Sequence, residues 1–484
     1  MFKSNHAYLI VILIFTFFSC NNQPLYTDAI AITNVNVIDA ENGLQESKTV
    51  IVQDNKISLI SDTDDVKLGD NSQVIDGKGK YLIPGFWDAH VHFAYLEDLA
   101  PSMFDLFLMY GITSVRDTGG KIGFVNKWKA LAQTDPKNAP RVKIAGPLID
   151  GMPNVYDGSS PQRPELSVGA ATPEAAAQIV ADLDAKGVDF IKAYEMLSPE
   201  QFKAVTAEAT KRGLKVTGHI PLSMDVISAS DAGLNSMEHL RNIEMSCANN
   251  SEQLMEQRRV LLRDGRNDQG GILRSRIHNA QRRYAIQNQN AQKTTEVLAA
   301  LKRNDTWQIP TLSIAIASTH RPFLNSDWQK DFQYLPTAIE SKWNEGVAMV
   351  AKSEISDERQ AYTDWANGMV DKINKAKIPI MAGTDTPIFF LTPGRSLHDE
   401  LALLVAAGMS PLEVLASATA LPAAYFGLED QLGLIKKDMI ADLILLNANP
   451  LVDINNTMAI DIVLKDGNLI RPNELRAKLL EAKK

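Results

Sequence analysis

The stretch that decides the fold spans residues 172–219 and reads "TPEAAAQIVADLDAKGVDFIKAYEMLSPEQFKAVTAEATKRGLKVTGH". It holds an amphipathic helix pattern, an apolar strand pattern, a second helix pattern and a second strand pattern. Ser198 is predicted to be the N-cap of the second helix, with Pro199 at its first position. Gly187 and Gly213 are predicted to end the two helices. Strand-helix units of this length predict a parallel sheet with right-handed crossovers.

The same unit recurs along the middle of the chain. "DVISASDAG" is followed by the strand-like "LNSMEHL", and "DWANGMVDKINKAKI" is followed by "PIMAGTDTP". The number of such units in residues 85–427 predicts an α/β fold, a closed (β/α)8 TIM barrel. In such a barrel the chemistry lies at the carboxyl ends of the strands.

The two ends of the chain have a different pattern. Runs such as "AIAITNVNVID" near the start and "AIDIVLKDGNLI" near the end are bounded by Asn, Asp and Gly turns, which is typical of strands. We therefore expect residues 26–84 and 428–472 to form one small β-sandwich that flanks the barrel.

Composition limits the classes of function. The chain of 484 residues is 45% hydrophobic, which suffices for one large domain and a smaller one. Its formal net charge is −9 and its Lys and Arg residues are dispersed, so the pattern argues against nucleic acid as a partner. A small-molecule substrate fits this composition better.

The first twenty residues have the pattern of an export signal. Lys3 precedes an apolar run over residues 7–18, which is short for a membrane span and predicts a signal peptide over residues 1–20. The Ser-Cys pair that ends it resembles a bacterial lipoprotein cleavage box, so we expect a lipid on Cys20 and anchoring in the periplasm or at the cell surface. Plain secretion and an uncleaved anchor stay open. Cys247 would then be the sole remaining cysteine, which excludes an intramolecular disulfide.

Histidines gather at the predicted strand ends. In "PGFWDAHVHF", residues 84–93, His90 and His92 share one face of a strand, because side chains two apart point the same way. Alone, this pair is compatible with a metal, another ligand or chance. Further polar residues end or occupy other strands in register with the repeat, and together they favour a metal site: Lys192, His219, His239 and Asp385.

These motifs resemble the amidohydrolase superfamily, in the branch with a paired metal centre that includes imidazolonepropionase-like enzymes and metal-dependent Xaa-Pro dipeptidases. The resemblance covers nearly the whole mature chain, through "PGFWDAHVHF", "YGITSVRDTGG", "IKAYE", "GHIP", "EHL", "AGTDTP" and "LGLIKKDMIADLILLNANPLVDI". It implies a (β/α)8 barrel with a β-sandwich built by both termini. It also implies hydrolysis of C–N bonds in amides and related compounds.

The resemblance also implies a ligand set. His90, His92 and Asp385 would hold a buried metal, and His219 and His239 a more exposed one. Lys192 would bridge the two after carbamylation by CO2, because a protonated lysine cannot bind a cation. Nitrogen and oxygen ligands suit Zn²⁺, although Mn²⁺, Co²⁺ or Fe²⁺ stay open.

The expected reaction is attack on an amide or peptide-like substrate by a metal-activated bridging hydroxide. Asp385 would act as general base and then as general acid toward the leaving nitrogen. Hydrolysis of cyclic amides or of lactones and other esters stays open, as does a ligand-binding lipoprotein without catalysis. These barrels often associate, so a homo-oligomer is a further expectation.

Some residues are weaker candidates. Tyr194 and His320 are predicted to contact substrate, with a barrel-layer aromatic and a loop histidine as the alternatives. Arg116 and Asp117 are interpreted as a structural ion pair. We also expect His398 to be a surface or capping residue, and Asp88 to orient one imidazole of the His90–His92 pair.

A helical insertion is predicted at about residues 241–306, between the sixth and seventh strands. It holds twelve Lys or Arg against seven Asp or Glu. In that position it would rise over the catalytic face as a lid or a wall of the substrate pocket. Its positive charge fits either an anionic substrate group or a solvated helix face. We expect trimming it to change substrate preference more than metal content.

Overall fold

The computed structural model describes residues 24–62 and 66–483. The predicted signal peptide and Cys20 lie outside the described residues. The architecture is mixed α/β. Within the described ranges, no helix has both the length and the apolar character needed to cross a bilayer.

Both ends of the chain contribute to one sheet. Its strands, in spatial order, are Asn468–Ile470, Ile460–Lys465, Leu443–Leu446, Tyr81–Pro84, Ile30–Asp39, Gly43–Gln53 and Lys56–Ser61, with Gln73–Asp76 also paired to Ile30–Asp39. Apolar side chains from both ends, among them Leu82 and Leu443, are fully buried in its core. The pairing of N- and C-terminal strands predicted from the sequence is therefore present, and a second layer that would make this a sandwich stays a prediction.

The middle of the chain carries the parallel strands. They are Phe86–Val91, Ile112–Asp117, Arg141–Ile144, Leu148–Asp150, Ile191–Ala193, Val216–Gly218, Ser236–Glu238 and Trp307–Ile309, with Ser167–Gly169 beside Leu148–Asp150. Two short pairs lie outside this series: Leu25–Tyr26 with Lys67–Leu68, and Asp157–Ser160 with Arg163–Glu165.

Backbone hydrogen bonds join the two ends of this series. The Ala89 amide donates to the Ala382 carbonyl at 2.9 Å, and the Gln308 amide donates to the Pro379 carbonyl at 2.9 Å. The segment 379–386 thus lies between the first and last of the parallel strands. The strand Arg141–Ile144 is joined to the segment just before the strand Ile191–Ala193, because the Asp189 amide donates to the Ile144 carbonyl at 2.8 Å. Apart from Ser167–Gly169, which lies at an edge beside Leu148–Asp150, each of the described parallel strands therefore has a neighbour on both sides.

Helices connect the strands in the predicted order. The α-helices are Ala100–Met109, Ile122–Thr134, Pro173–Ala185, Pro199–Lys211, Val226–Asp231, Ile243–Ser246, Ser251–Asp264, Gly270–Gln287, Ala291–Arg303, Leu312–Ala315, Ala317–His320, Ser326–Gln329, Thr337–Val350, Asp357–Lys375, Arg395–Ala406, Pro411–Ser417, Ala420–Tyr425 and Pro472–Glu481. The 3₁₀ turns are Glu97–Leu99, Pro322–Leu324, Lys330–Tyr334, Ile388–Phe390 and Ile454–Met458.

The predicted helix caps are confirmed. The Ser198 hydroxyl accepts from the Gln201 amide at 3.1 Å, and the Gln201 side chain accepts from the Ser198 amide at 2.8 Å, which makes a capping box. Gly187 and Gly213 follow the two helices with φ of 79° and 72°. This left-handed conformation costs glycine little because it lacks a Cβ.

Helices fill the segment between the strands Ser236–Glu238 and Trp307–Ile309, where the sequence predicts an insertion. Ile243–Ser246, Ser251–Asp264, Gly270–Gln287 and Ala291–Arg303 all lie in this segment. Leu273 and Ile277 of the third helix are buried against Leu222, which follows the strand Val216–Gly218. Burial of each such side chain contributes about 1.5–3 kcal/mol, so the insertion is packed onto the strand ends.

Candidate metal centre

The six residues predicted as ligands converge at the carboxyl ends of the parallel strands. All six side chains are buried, and they line one small cavity: His90, His92, Lys192, His219, His239 and Asp385. His90 lies in one strand and His92 directly follows it, and the other four residues come from other parts of the strand series, so the chain brings together positions almost 300 residues apart. Leu148, Leu166 and Ile388 close the cavity with apolar groups.

His90, His92 and Asp385 form the tightest group. Asp385 Oδ1 lies 3.2 Å from His90 Nε2 and 3.1 Å from His92 Nε2. Potential ligand atoms of the three residues all lie within 4.8 Å of one another. A metal ion accepts ligands at such mutual distances.

The hydrogen bonds of this group test whether it fits a cation. His90 Nδ1 donates to Glu238 Oε2 at 2.6 Å and His92 Nδ1 donates to the Gly119 carbonyl at 3.2 Å. In the neutral imidazoles, both Nε2 atoms then carry lone pairs that face the same carboxylate oxygen. That oxygen, Asp385 Oδ1, is buried and has no hydrogen-bond partner. Two nitrogen lone pairs and an unpartnered anionic oxygen around one point fit a divalent cation.

His219 and His239 form a second pair beside the first. Their ring centroids are 4.8 Å apart, and His239 is 4.6 Å from the ring of His90. His219 Nδ1 donates to Glu195 Oε1 at 2.5 Å. His239 Nδ1 donates to Thr311 Oγ1 at 2.6 Å, since that hydroxyl itself donates to the Pro310 carbonyl. Burial holds the pKa of both imidazoles well below the usual value, so both are neutral, as metal binding requires.

Lys192 lies among these residues without a hydrogen bond. Its side chain is 1% exposed, and Nζ has no hydrogen-bond partner. The nearest carboxylate oxygen is Glu238 Oε1, at 3.8 Å. Burial lowers the pKa of the Lys192 amine to about 8, against the opposing charge of Glu238. A buried ammonium without a hydrogen bond is costly, so this site favours a neutral or modified amine.

The backbone is strained at two of these residues. His239 has a φ of 64° and Asp385 a φ of 68°, in the left-handed region that non-glycine residues rarely adopt. Burial would raise the pKa of Asp385, but electrostatic interactions with the surrounding imidazoles hold it well below the usual value. The carboxylate is therefore ionised, and strain of this kind clusters at functional sites.

Glu238 supports the centre through a hydrogen bond to His90, and the sequence analysis did not predict this role. Glu238 is fully buried and bonds to His90 through Oε2, while Oε1 accepts from Arg116 Nη2 at 2.6 Å. The predicted ion pair between Arg116 and Asp117 is therefore wrong. Asp117 instead accepts from the amides of Phe93 and Gly119, at 2.9 and 3.0 Å. A glutamate inside the apolar strand pattern "SMEHL" was the signal available in the sequence.

Glu195 was also missed, and it connects the centre to the insertion. It is fully buried and its oxygens accept from His219 Nδ1 at 2.5 Å, from His278 Nε2 at 2.6 Å and from Arg274 Nε at 2.9 Å. Arg274 and His278 both belong to the helix Gly270–Gln287. The insertion thus contacts a candidate metal ligand through a single carboxylate.

Asp88 and His398 differ from their sequence-based interpretations. Asp88 accepts from the His90 and Thr384 amides at 3.2 and 3.1 Å and from the Thr384 hydroxyl, so its hydrogen bonds fix the backbone at the site rather than an imidazole. His398 is 4% exposed, and its nitrogens bond to Thr457 and to the Tyr110 carbonyl. It is a core residue, because the helix that carries it packs against the terminal segment.

The two predicted substrate contacts have different surroundings. Tyr194 lines the cavity, with its ring centroid 4.3 Å from that of His219. His320 ends the short helix Ala317–His320 and not a strand, because the strand predicted to carry it is Trp307–Ile309 and ends eleven residues earlier. It bonds to Asp399 at 2.8 Å and is absent from the described lining of the cavity.

Comparisons with known proteins show which families and folds this chain is similar to. Residues 330–470 match the amidohydrolase family model. A 70-residue segment is 41% identical to the 5-methylthioadenosine/S-adenosylhomocysteine deaminase of Halothermothrix orenii, and covers 13% of this chain and 16% of the deaminase. The chain thus spans about a sixth of the length of the curated relatives it matches.

Solved structures share the fold over nearly the whole chain. A Xaa-Pro dipeptidase with bound methionine is similar over 92% of this chain and 100% of its own, with a TM-score of 0.64 and 20% identity. The bottromycin amidohydrolase is similar over 96% of this chain and 91% of its own, with a TM-score of 0.68 and 21% identity. The amidohydrolase family match over residues 330–470 supports the resemblance carried by the sequence motifs, and the solved structures show that the fold is shared over nearly the whole chain.

Proposed function

We propose that this protein is a metal-dependent hydrolase of C–N bonds in small amide- or peptide-like substrates. The observation that carries the proposal is the convergence of His90 and His92 on the buried, unpartnered Oδ1 of Asp385. Buried acceptors in this arrangement are satisfied by a cation and not by one another. The match to the amidohydrolase family model supports the same reaction class.

The ligand assignment follows from the two groups of histidines. His90, His92 and Asp385 would hold one divalent cation, and His219 with His239 a second. Each of these imidazoles donates its Nδ1 hydrogen to a fixed acceptor, which presents Nε2 to the cavity. Nitrogen and oxygen donors of this kind suit Zn²⁺.

Lys192 would link the two positions as a carbamate. The neutral amine nitrogen bonds to the carbon of CO2 and loses one proton, which leaves a carboxylate-like group on Nζ. A pKa of about 8 makes the neutral amine accessible near neutral pH. A carbamate would replace the unpartnered amine by a group whose oxygens could bind the cations.

The reaction proposed is hydrolysis of an amide. Two bound divalent cations would supply a Lewis acid for the carbonyl oxygen and lower the pKa of a water to near 7. Asp385 accepts the proton of the attacking water and returns it to the leaving nitrogen, a role for which its low pKa keeps it ionised. Tyr194 would donate its hydroxyl hydrogen to the substrate carbonyl from the cavity wall.

The finer class is part of the proposal. The relatives include deaminases and dihydroorotases, and a structural neighbour is a Xaa-Pro dipeptidase, so both linear and cyclic C–N substrates occur among similar proteins. We place this chain in the dinuclear branch with a dipeptidase-like substrate. A cyclic-amide or lactone hydrolase is the alternative.

The test is a hydrolysis screen over dipeptides, N-acyl amino acids, cyclic ureides and lactones, before and after chelation. We expect turnover of a C–N substrate that is lost with chelator and restored by Zn²⁺. His90→Ala should abolish turnover, whereas His398→Ala, which removes an equally buried imidazole outside the site, should retain bound metal. Turnover by the His90→Ala variant at the wild-type rate would refute the assignment.

The fold and the location complete the proposal. The neighbours of the parallel strands, with segment 379–386 joining the first and the last, support a closed (β/α)8 barrel.

For the export prediction, we infer a lipid on Cys20. Palmitate labelling of the wild type and of Cys20→Ser in the expressing bacterium tests it, and equal labelling of both would contradict it.

A further inference from the structure

A buried carboxyl group behind the candidate metal centre takes no part in the proposed reaction. Glu400, in the helix Arg395–Ala406, is fully buried. The Leu312 amide donates to its Oε1 at 2.9 Å, and the Ser313 amide donates to its Oε2 at 2.6 Å. Burial raises the pKa of Glu400 to about 8, against these amides, which favour the carboxylate. A buried acid is costly, so we look for its role in the backbone that it binds.

The two amides belong to the start of a short helix. Leu312–Ala315 follows closely on the strand Trp307–Ile309, which carries no candidate ligand itself. The first amides of a helix have no partner within the helix. Glu400 satisfies two of them from a helix that lies far along the chain, and it thereby fixes the turn 310–313 at the strand end.

The backbone of this turn is strained at Thr311. Thr311 has a φ of 47° and a ψ of 53°, and its side chain is fully buried. A β-branched residue in the left-handed region is an outlier, and it persists only where the surrounding structure enforces it. The hydrogen bonds of Glu400 to the next two amides supply such a restraint.

The Thr311 side chain in turn fixes a candidate metal ligand. The Thr311 hydroxyl donates to the Pro310 carbonyl at 2.8 Å, so its oxygen accepts from His239 Nδ1 at 2.6 Å. The hydrogen bond made by one ring nitrogen of a histidine sets which tautomer is present. His239 therefore carries its hydrogen on Nδ1 and has a lone pair on Nε2, as binding of a metal through Nε2 requires.

The same turn also contacts the segment that carries Asp385. The Ser313 hydroxyl donates to the Thr384 carbonyl at 3.2 Å, and Thr384 directly precedes Asp385. Ser313 also supplies one of the two amides that Glu400 binds. The turn 310–313 thus lies between Glu400 on one side and the surroundings of two candidate ligands on the other.

We propose that Glu400 is a positioning residue for the metal centre. By holding the turn 310–313, it keeps the Thr311 hydroxyl in place as the acceptor for His239 Nδ1. This inference rests on the proposed function and deepens it, because it names a group that prepares a ligand without touching metal or substrate. Loss of Glu400 should release the strained turn and allow His239 to adopt the other tautomer.

The first test is nitrogen-15 NMR of the histidine rings in the metal-free protein, above about pH 8, where the Glu400 carboxylate prevails. The signals of His239 are identified by their absence in His239→Gln. We expect a hydrogen on Nδ1 and none on Nε2 in the wild type. Glu400→Gln turns an NH₂ group toward one of the two amides and should give a mixture of tautomers. Thr311→Val should do the same, and Thr311→Ser should restore the wild-type tautomer.

The second test is titration of the metal-free variants with Co²⁺, followed by the visible spectrum. The dissociation constant of the second metal should rise by about 10- to 100-fold in Thr311→Val and by about tenfold in Glu400→Gln, with Thr311→Ser as in the wild type. Asp39→Asn is the matched control. Asp39 is a buried carboxylate of the terminal sheet that accepts from the Glu41 and Asn42 amides at 3.0 and 2.7 Å.

A folded Glu400→Gln variant with the wild-type tautomer and metal affinity would overturn the proposal. Equal losses in Thr311→Ser and Thr311→Val would also overturn it, as would a loss of metal affinity in Asp39→Asn as large as in Glu400→Gln. A wild type with the expected tautomer that binds no divalent cation would refute the proposed hydrolase and leave the positioning role standing. The Thr311 variants keep Glu400 intact, so misfolding of one variant leaves the others as a test.

Discussion

The contact between the insertion and His219 gives the sharpest prediction on metal binding. Glu195 accepts hydrogen bonds from His219, His278 and Arg274 and is fully buried. Burial would raise its pKa, but Arg274 and His278 hold it well below the usual value, so the group is a carboxylate. Glu195→Gln keeps the size of this side chain and removes its charge.

The size of the effect follows from that hydrogen bond. A hydrogen bond to a charged group contributes about 1.5–3 kcal/mol. Loss of the group that accepts a hydrogen bond from a metal-binding histidine weakens metal binding by about 10- to 100-fold. We therefore expect the dissociation constant of the second metal to rise by about 10- to 100-fold. The first metal, at His90, His92 and Asp385, should bind as in the wild type.

The assay is stepwise titration of the metal-free protein with Zn²⁺ or Co²⁺, followed by calorimetry and by the visible spectrum of the cobalt form. Glu244→Gln is the control, because Glu244 is a buried carboxylate of the insertion that bonds to Arg282 and to no candidate ligand. Two unchanged binding steps in Glu195→Gln would refute the reasoning. These contacts also argue against the expectation that trimming the insertion changes substrate preference more than metal content. Trimming would remove Arg274 and His278, and we expect bound metal to be lost with them.

Other predictions test the neighbouring residues. Lys192→Ala should lower kcat/KM by at least about 100-fold, since several kcal/mol of transition-state stabilisation depends on the metals, and added propionate should restore part of it; wild-type activity without propionate would contradict the carbamate. At constant dissolved CO2, the rate at which metal-free protein is reactivated should rise as pH increases through about 8, because the neutral Lys192 amine reacts; a flat rate between about pH 6 and 9 would oppose this. Arg116→Met should lower the free energy of unfolding by about 3–5 kcal/mol in urea titrations, because the buried carboxylate of Glu238 loses its guanidinium partner; a loss below about 1 kcal/mol would show that Glu238 is neutral.

Local patterns in the sequence predicted much of the structure. Helix caps such as Ser198 depend on neighbouring residues alone, so the capping box could be read directly. The strand-end positions of His90 and Asp385 followed from the repeat, because parallel strands bring their carboxyl ends to one edge.

Long-range partners could not be read in this way. Arg116 and Asp117 are adjacent in sequence, but neighbouring strand residues point to opposite faces, so Arg116 enters the interior and meets Glu238. Glu195 meets His278 only because the insertion folds back over the strand ends. The local sequence around His398 predicts a surface residue. Its burial depends on the packing of its helix against Thr457, which belongs to the distant C-terminal segment.

The most direct test of the central claim is metal analysis of the purified, folded protein by mass spectrometry. The proposed centre predicts two divalent cations per chain in the wild type and a loss of bound metal in His90→Ala, with His398→Ala unchanged. A wild-type protein that is folded, hydrolytically active and free of metal would contradict it.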